Sequence, residues 1–382
     1  MPWKVSSVNE QRLLLVERIL SGDPVAEVCR AIGVSRVCAY KWLSRYDREG
    51  ASGLRDRSRR PHRSPNATSQ SVVATLIAER AQYPYWGARK IRRRVRDVSV
   101  GVPSERTVGR ILKRHGLISP PPVPADSGQR FSRSEPNQLW QIDYKGPVRG
   151  VWGAHSVPLV VLDDASRYLL GLWSLSNKTL ALTWPRLWDL FGAFGLPDAL
   201  LSDNDSTFGG RSGPSQMEVR LMRLGIDVLH GRAYHPQTQG KVERLNGTLE
   251  RELIRHYEFG EAEQLQTDLD LFRRRYNFER PHEALGLEVP ARVYRPSRRA
   301  RPGSLPELEY SRGSVLRRVD VNGRINWKGE EIYLSDGLIK ERVEVRESAE
   351  ATEVFYGSYL VLKRDRTGRI KRLRSYHGGR AK

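Results

Sequence analysis

Three acidic residues stand where carboxylates could do metal-assisted chemistry. Asp143 lies near the end of an apolar stretch, LWQIDYKG from Leu139, and Asp203 follows the short apolar run Ala199-Leu200-Leu201 in SDNDSTFGG. Glu243 sits in HPQTQGKVERLNG, where a loop beginning before His235 passes into a helix near Gly240. The acids are 60 and 40 positions apart, so only tertiary structure can bring them together. Acids at the ends of neighbouring strands can converge beside a helix that delivers a third. Crowded carboxylates raise one another's pKa, and hard oxygen donors with open water positions are what Mg²⁺ or Mn²⁺ take. The set therefore predicts a divalent-metal site. Asp205 competes with Asp203, and Asp163 or Asp164, which end the apolar run Val157 to Leu162, compete with Asp143.

The elements that must position these acids read as strands first and helices after. Strands are predicted at Leu139 to Asp143, Val157 to Leu162, Tyr168 to Leu175, Ala199 to Leu201 and Asp227 to Leu229. Helices are predicted over Leu180 to Phe194, Ser215 to Leu224 and onward from Gly240, with an amphipathic helix from Leu265 to Phe278 packed on the core. That order implies a mixed sheet with helices against it. The segment QGKVE also looks like the end of a nucleotide-binding loop, but His235 stands where the upstream glycine is required, which excludes an ATPase.

Before this region lie two helical units. Apolar positions Leu13, Leu14, Val16, Ile19 and Leu20 recur at helical spacing; Asp23 and Pro24 open a second helix, Gly33 makes a turn, and Ser35 caps a third. This is helix-turn-helix spacing, and the third helix carries Arg36, Lys41 and Arg45, types that reach phosphates or guanine edges. The pattern recurs between Thr68 and Ile118, with a basic helix from Gly87 to Arg96 and a helix capped by Ser104. After the core, the last 70 or so residues alternate in polarity and turn at Asn322-Gly323 and Thr367-Gly368, which predicts a small antiparallel β-barrel.

The charge follows this division. The 382 residues carry 65 Lys+Arg and 44 Asp+Glu, a net +21, distributed as +14 over residues 1–135, −1 over 136–282 and +8 over 283–382. Basic flanks around a near-neutral middle predict a polyanionic partner, and tandem reading heads make that partner double-stranded DNA rather than a membrane. The two cysteines, Cys29 and Cys38, cannot build a disulfide framework, and no apolar run is long enough to cross a bilayer. A soluble cytoplasmic, nucleoid-associated protein is expected.

Together these motifs resemble insertion-sequence transposases with the integrase catalytic core, relatives of retroviral integrases with a ribonuclease-H-like fold. WQIDY is similar to the first catalytic-strand motif, SDND to the second, and HPQTQGKVERLN to the loop and helix bearing the third acid; YNFERPHEALG from Tyr276 continues the likeness. By motif position the resemblance implies Asp143, Asp203 and Glu243 as catalytic residues and ligands of two Mg²⁺ or Mn²⁺ ions, with Lys241 and Arg244 close to DNA. The interval from Asp203 to Glu243 is longer than in retroviral relatives, and GGRSGPS from Gly209 is the natural extra loop.

The expected fold is multidomain α+β. A helix-turn-helix domain (1–54), a basic linker (55–67) and a second helix-turn-helix domain (68–118) precede a linker (119–135). The ribonuclease-H-like mixed α/β catalytic core with its trailing helix (136–294) follows, then a linker (295–310) and the β-barrel (311–382). Expected DNA contacts are Arg36, Lys41, Arg45, Arg57, Arg59, Arg60, Arg92, Arg106, Arg110, Lys241 and Arg244. The expected function is a DDE-type DNA transposase, acting as a dimer or tetramer on terminal repeats and target DNA. A non-catalytic DNA-binding regulator is the alternative; a general nuclease leaves the two reading heads unexplained.

Overall fold

Capping residues and glycines in the first 67 residues set where its helices begin and end. Helix α1 (Val8–Leu20) starts at Ser7, whose hydroxyl accepts from the Glu10 N–H. Helix α2 (Val25–Ile32) starts one position later than its sequence suggests, since Pro24 is extended (ψ 125°) and stands at the N-cap without a side-chain cap, while Asp23 accepts from Arg18 at 2.8 Å. It ends at Gly33, whose φ of 77° is the left-handed value a helix stop favours. Helix α3 (Arg36–Glu49) starts at Ser35, whose Oγ accepts from the Cys38 N–H at 3.2 Å. The computed structural model describes residues 7–58, 67–118, 132–149, 155–203, 205–209, 212–231, 240–256, 262–373 and 375–378.

The chain divides into two units, Met1–Ala67 and Thr68–Lys382. In the first, Leu15, Val16, Val28, Cys29, Ala39, Trp42 and Leu54 form the core. Arg12 closes it from one side, donating to the Leu54 carbonyl at 2.7 Å and to Asp56 at 2.8 Å, with its guanidinium 4.0 Å from the Trp42 ring centre. Gly53 is dictated by contact, since a Cβ there would stand 2.4 Å from the Arg45 carbonyl oxygen.

The second unit opens with α4 (Gln70–Gln82), α5 (Ala88–Val98) and α6 (Glu105–Arg114), packed around Leu76, Trp86, Ile91, Val95 and Val108. Tyr83 stacks on Trp86 at 3.9 Å and donates to Glu279 at 2.6 Å; burial, then the Glu279 carboxylate, push its phenol up to about 12. Arg93 of α5 reaches Glu288 at 3.2 Å and Arg89 reaches Glu283 at 3.9 Å. Part of the basic face of α5 is therefore spent on acids of the core's trailing segment.

The core sheet is built from β1 (Trp140–Tyr144), β2 (Val148–Arg149), β3 (His155–Asp163) and β4 (Leu169–Leu175). After α7 (Leu180–Phe194) come β5 (Ala199–Ser202), α8 (Gln216–Arg223) and β6 (Asp227–His230). β4, β3 and β1 pair antiparallel, and β1, β5 and β6 pair parallel; β2 continues along β3. Helices α9 (Gly240–Glu252), α10 (Ala262–Phe278) and the short α11 (Pro290–Val293) follow. Period-two alternation on β1 sends Trp140, Ile142 and Tyr144 into the larger core with α7 and α8. Val160, Leu162, Leu169 and Leu172 face the other way, against α9 and α10. This is the integrase-like, ribonuclease-H-type arrangement, with the acid-bearing strands side by side.

Asn277 fastens α10 to the sheet. Its buried carboxamide accepts from the Leu169 N–H at 2.8 Å and donates to the Leu169 carbonyl at 2.9 Å, standing in for a strand neighbour. Asn277→Leu is expected to destabilise the second unit by about 1–3 kcal/mol for each backbone group left unpaired. Urea unfolding followed by tryptophan fluorescence checks this, and an unchanged midpoint contradicts it.

Residues 295–310, expected as a linker, run along the core: Ser297 donates to the Phe194 carbonyl at 2.7 Å, and Arg299 binds the Pro197, Leu224 and Gly225 carbonyls at 2.5–3.0 Å. The C-terminal strands are β7 (Leu316–Arg318), β8 (Arg324–Trp327), β9 (Glu330–Tyr333), β10 (Arg342–Glu347), β11 (Ala351–Tyr356), β12 (Tyr359–Asp365) and β13 (Ile370–Arg372). They do not form the expected β-barrel. β13-β12-β11-β10-β7 is an open sheet with three-residue strands at both edges, and β8-β9 is a separate hairpin. Alternation and turns specify antiparallel neighbours but not closure. Here Val343, Val345, Val354 and Tyr356 of the sheet share one buried cluster with Ile325, Ile332, Leu338 and residues of the core sheet, so the apolar face is covered without closure. Tyr376 then bridges Val228, covering the outer edge of β6. No described helix is long and apolar enough to cross a membrane.

Candidate active site

Asp143 shares the α9-facing side of β1 with Gln141, because the two are separated by one strand period. It is half-buried, and its Oδ2 accepts from the Asn246 carboxamide of α9 at 2.7 Å. Burial pushes its carboxyl up to about 6, the negative charge of Asp203 adds to this, the Asn246 bond opposes it, and Glu243 adds a smaller push. Asp143 therefore feels both other acids.

Asp203 follows β5, the parallel neighbour of β1, and its Oδ1 accepts from the Asp205 N–H at 3.0 Å. Beneath it, the His230 Nδ1 lies 3.1 Å from the Asp203 carbonyl and 3.2 Å from the Ser202 hydroxyl. Burial opposes charge on His230, but Glu218, 2.7 Å from Nε2, outweighs it and holds the imidazole pKa above its ordinary value. Glu243 is exposed in the first turn of α9.

The rival acids are occupied elsewhere. Asp163 is fully buried and accepts from the Asn137 N–H, the Ser166 N–H and the Ser166 hydroxyl at 2.6–2.8 Å. Asp164, equally buried, accepts from the Arg133 N–H and the Gln141 amide, each at 2.7 Å, and pairs with Lys241 at 2.5 Å. Asp205 accepts from the Thr207 N–H at 3.0 Å and pairs with Lys178 at 2.9 Å, which leaves its pKa below the usual carboxylate range although burial acts the other way.

Three carboxylates on adjoining elements are the donor type a hard divalent cation takes, and the Asp143 carboxyl resists ionisation chiefly through burial, with Asp203 and then Glu243 adding to it. Among the described residues, no group of three or more His, Cys, Asp or Glu is drawn close enough to hold a metal ion.

The expected DNA contacts separate into distinct environments. Arg36 and Lys41 are exposed on α3, Arg106 and Arg110 on α6, and Arg244 on α9. Arg45 is half-buried, 4.9 Å from the Trp42 ring centre, and Arg57 pairs with Glu49. Arg92 is half-buried and donates to the Pro103 carbonyl at 2.6 Å, while Lys241 faces Asp164. Arg59 and Arg60 lie outside the described residues.

Sequence reasoning missed Gln141, Lys178 and Asn246. Two of them had a signal: Gln141 is one strand period from Asp143, and Asn246 is one helical step of three from Glu243. Lys178, 5.3 Å from the Tyr144 ring centre, had none because its partner Asp205 lies across a loop.

Residues 133–236 and 224–290 each match an integrase core domain family. Residues 11–62 match a helix-turn-helix domain and 38–112 a homeodomain-like domain. The Pol polyprotein of radiation murine leukemia virus (strain Kaplan) is 32% identical over 129 residues, covering 34% of this chain and 21% of that protein. The Gag-Pol polyprotein of baboon endogenous virus (strain M7) is 25% identical over 191 residues, covering 49% of this chain and 11% of that protein. The chain thus spans about a fifth of one of these curated relatives and about a tenth of the other. Among solved structures, the simian T-cell lymphotropic virus intasome bound to PP2A regulatory subunit B56 gamma aligns with a TM-score of 0.38 at 16% identity, covering 72% of this chain and 91% of that one. Segments of the chain thus match helix-turn-helix and integrase core domain families, in keeping with its likeness to insertion-sequence transposases.

Proposed function

We propose that the chain is a DNA transposase that binds the terminal repeats of a mobile element and catalyses divalent-metal-dependent 3′-end cleavage and strand transfer into target DNA. The observation that carries this reading is the placement of Asp143 on β1, Asp203 after its parallel neighbour β5 and Glu243 in the first turn of α9, within segments that match an integrase core domain, while Asp163, Asp164 and Asp205 are engaged in holding backbone or a lysine.

Asp143, Asp203 and Glu243 would hold the metal ions. When bound, two such ions supply a lowered pKa for the attacking water or 3′-hydroxyl and charge stabilisation at the leaving oxygen. The chain's part is positional. Asn246 orients the Asp143 carboxylate, and the Glu218–His230 pair supports the backbone at Asp203. Hydrolysis at an element end and strand transfer are both in-line displacements at phosphorus that differ only in nucleophile, so one site serves both without a covalent enzyme intermediate. The helix-turn-helix units bind the ends, and an oligomer, a dimer or tetramer, holds two ends together.

Mg²⁺-dependent nicking of a duplex carrying the element's own ends tests the reading. Site-specific nicking at the 3′ ends is expected, with none in EDTA. Asp205→Asn should keep activity within about tenfold, because its partly exposed Lys178 pair is worth at most about 1 kcal/mol. A specific footprint without nicking would instead leave a DNA-binding regulator, and unspecific cutting a general nuclease.

A further inference from the structure

The first turn of α9 is held against β1 by a buried polar clasp that nothing in the reaction chemistry uses. Gln141, 1% exposed, turns its carboxamide both ways: Nε2 donates to Asp164 Oδ1 at 2.7 Å, and Oε1 accepts from the Val242 N–H at 3.3 Å. That N–H is one of the unsatisfied donors at a helix start. Lys241 completes the clasp. Its ammonium lies 2.5 Å from Asp164 Oδ2 and 3.1 Å from both the Asp164 carbonyl and the Ser132 hydroxyl, so each of its three N–H donors has an acceptor. A lysine in a helix's first turn opposes the helix dipole, and the buried Asp164 carboxylate offsets that cost.

The two ends of the clasp adjoin the two acids. Gln141 is one strand period from Asp143, and Val242 precedes Glu243 directly. From this juxtaposition we propose that Gln141, Asp164 and Lys241 are positioning residues that set the register of Glu243 against Asp143, and that Lys241 serves the site in this way rather than as a DNA contact. The inference rests on the function proposed above.

The test uses the full chain and Mn²⁺ as probe. Two variants are compared with wild type: Gln141→Leu, and Lys241→Met combined with Asp164→Asn, which removes both charges so that neither is left buried alone. Calorimetric titration is expected to show Mn²⁺ binding weakened about 10–100-fold in each. Nicking should recover as Mn²⁺ is raised, while metal-free affinity for end DNA and its salt dependence stay at wild-type values. A purely structural role would lower the melting temperature without moving the Mn²⁺ concentration for half-maximal rate, and that result overturns the inference. So does unchanged Mn²⁺ binding with weaker DNA binding and a salt slope reduced by about 0.9, the signature of a lost phosphate contact. A wild-type chain that takes up no Mn²⁺ removes the function reading as well, which separates the two failures.

Discussion

Asp143→Asn is expected to abolish Mg²⁺-dependent cleavage and strand transfer, by about 10³-fold or more, while making the metal-free protein more stable at pH 7.5. The first effect follows from losing a carboxylate that must offset divalent charge, and three decades of rate correspond to about 4 kcal/mol of barrier. The second follows from the folded-state environment, where burial, then Asp203 and Glu243, push the Asp143 carboxyl up to about 6. A raised acid pKa means that the folded chain binds the proton more tightly than the unfolded one. Stability is therefore lost as pH rises from about 4 through about 6, and the deficit persists above that window. Asparagine lacks it, so the variant should gain about 1–3 kcal/mol when metal is absent. Mg²⁺ should raise the wild-type melting temperature and leave the variant's unmoved, since metal favours only the folded cluster. Asp203→Asn and Glu243→Gln should likewise abolish cleavage, and all three should retain binding to end DNA. Full activity in any one of them removes that residue from the site.

That double outcome could be anticipated only in part from the sequence, and the division has a physical basis. Strand pattern placed Asp143 near a strand end, and the expected passage from loop to helix near Gly240 placed Glu243 at a helix start; both signals are local. The caps at Ser35 and Ser104 are equally local, and both accept from the third residue on. What stayed hidden depends on partners far along the chain. Asn277 pairs with Leu169, Lys241 with Asp164 and Tyr83 with Glu279, and no spacing rule connects such residues. The same limit explains the open C-terminal sheet. Its turns at Gly323 and Gly368 take the expected positive φ, yet whether its edges meet depends on what covers its apolar face. Glu243 on its exposed turn was legible; the clasp that holds the turn was not.

Affinity for end DNA should fall about 10³-fold between 50 and 200 mM salt, and the residues responsible are not simply the most basic segment. Net charge of +21 sets the sign of the partner but not the number of phosphates contacted. Arg36 and Lys41 on α3, and Arg106, Arg110, Lys113 and Arg114 on α6, are exposed and in no ion pair among the described residues. Six such cations, each releasing about 0.9 of a counterion, give a log–log slope of about −5, which yields that fold-change over a fourfold rise in salt. Helix α5 is denser in arginine but differently committed: Arg93 is paired with Asp97 and Glu288, and Arg89 with Glu105 and Glu283. Arg110→Ala should therefore reduce the slope by about 0.9, whereas Arg93→Ala should leave it unchanged and lower thermal stability instead. Fluorescence anisotropy across a salt series reads the slope directly. Equal slope losses for Arg93 and Arg110 would mean that the α5 pairs open on DNA, so that the charge of this helix counts toward binding after all.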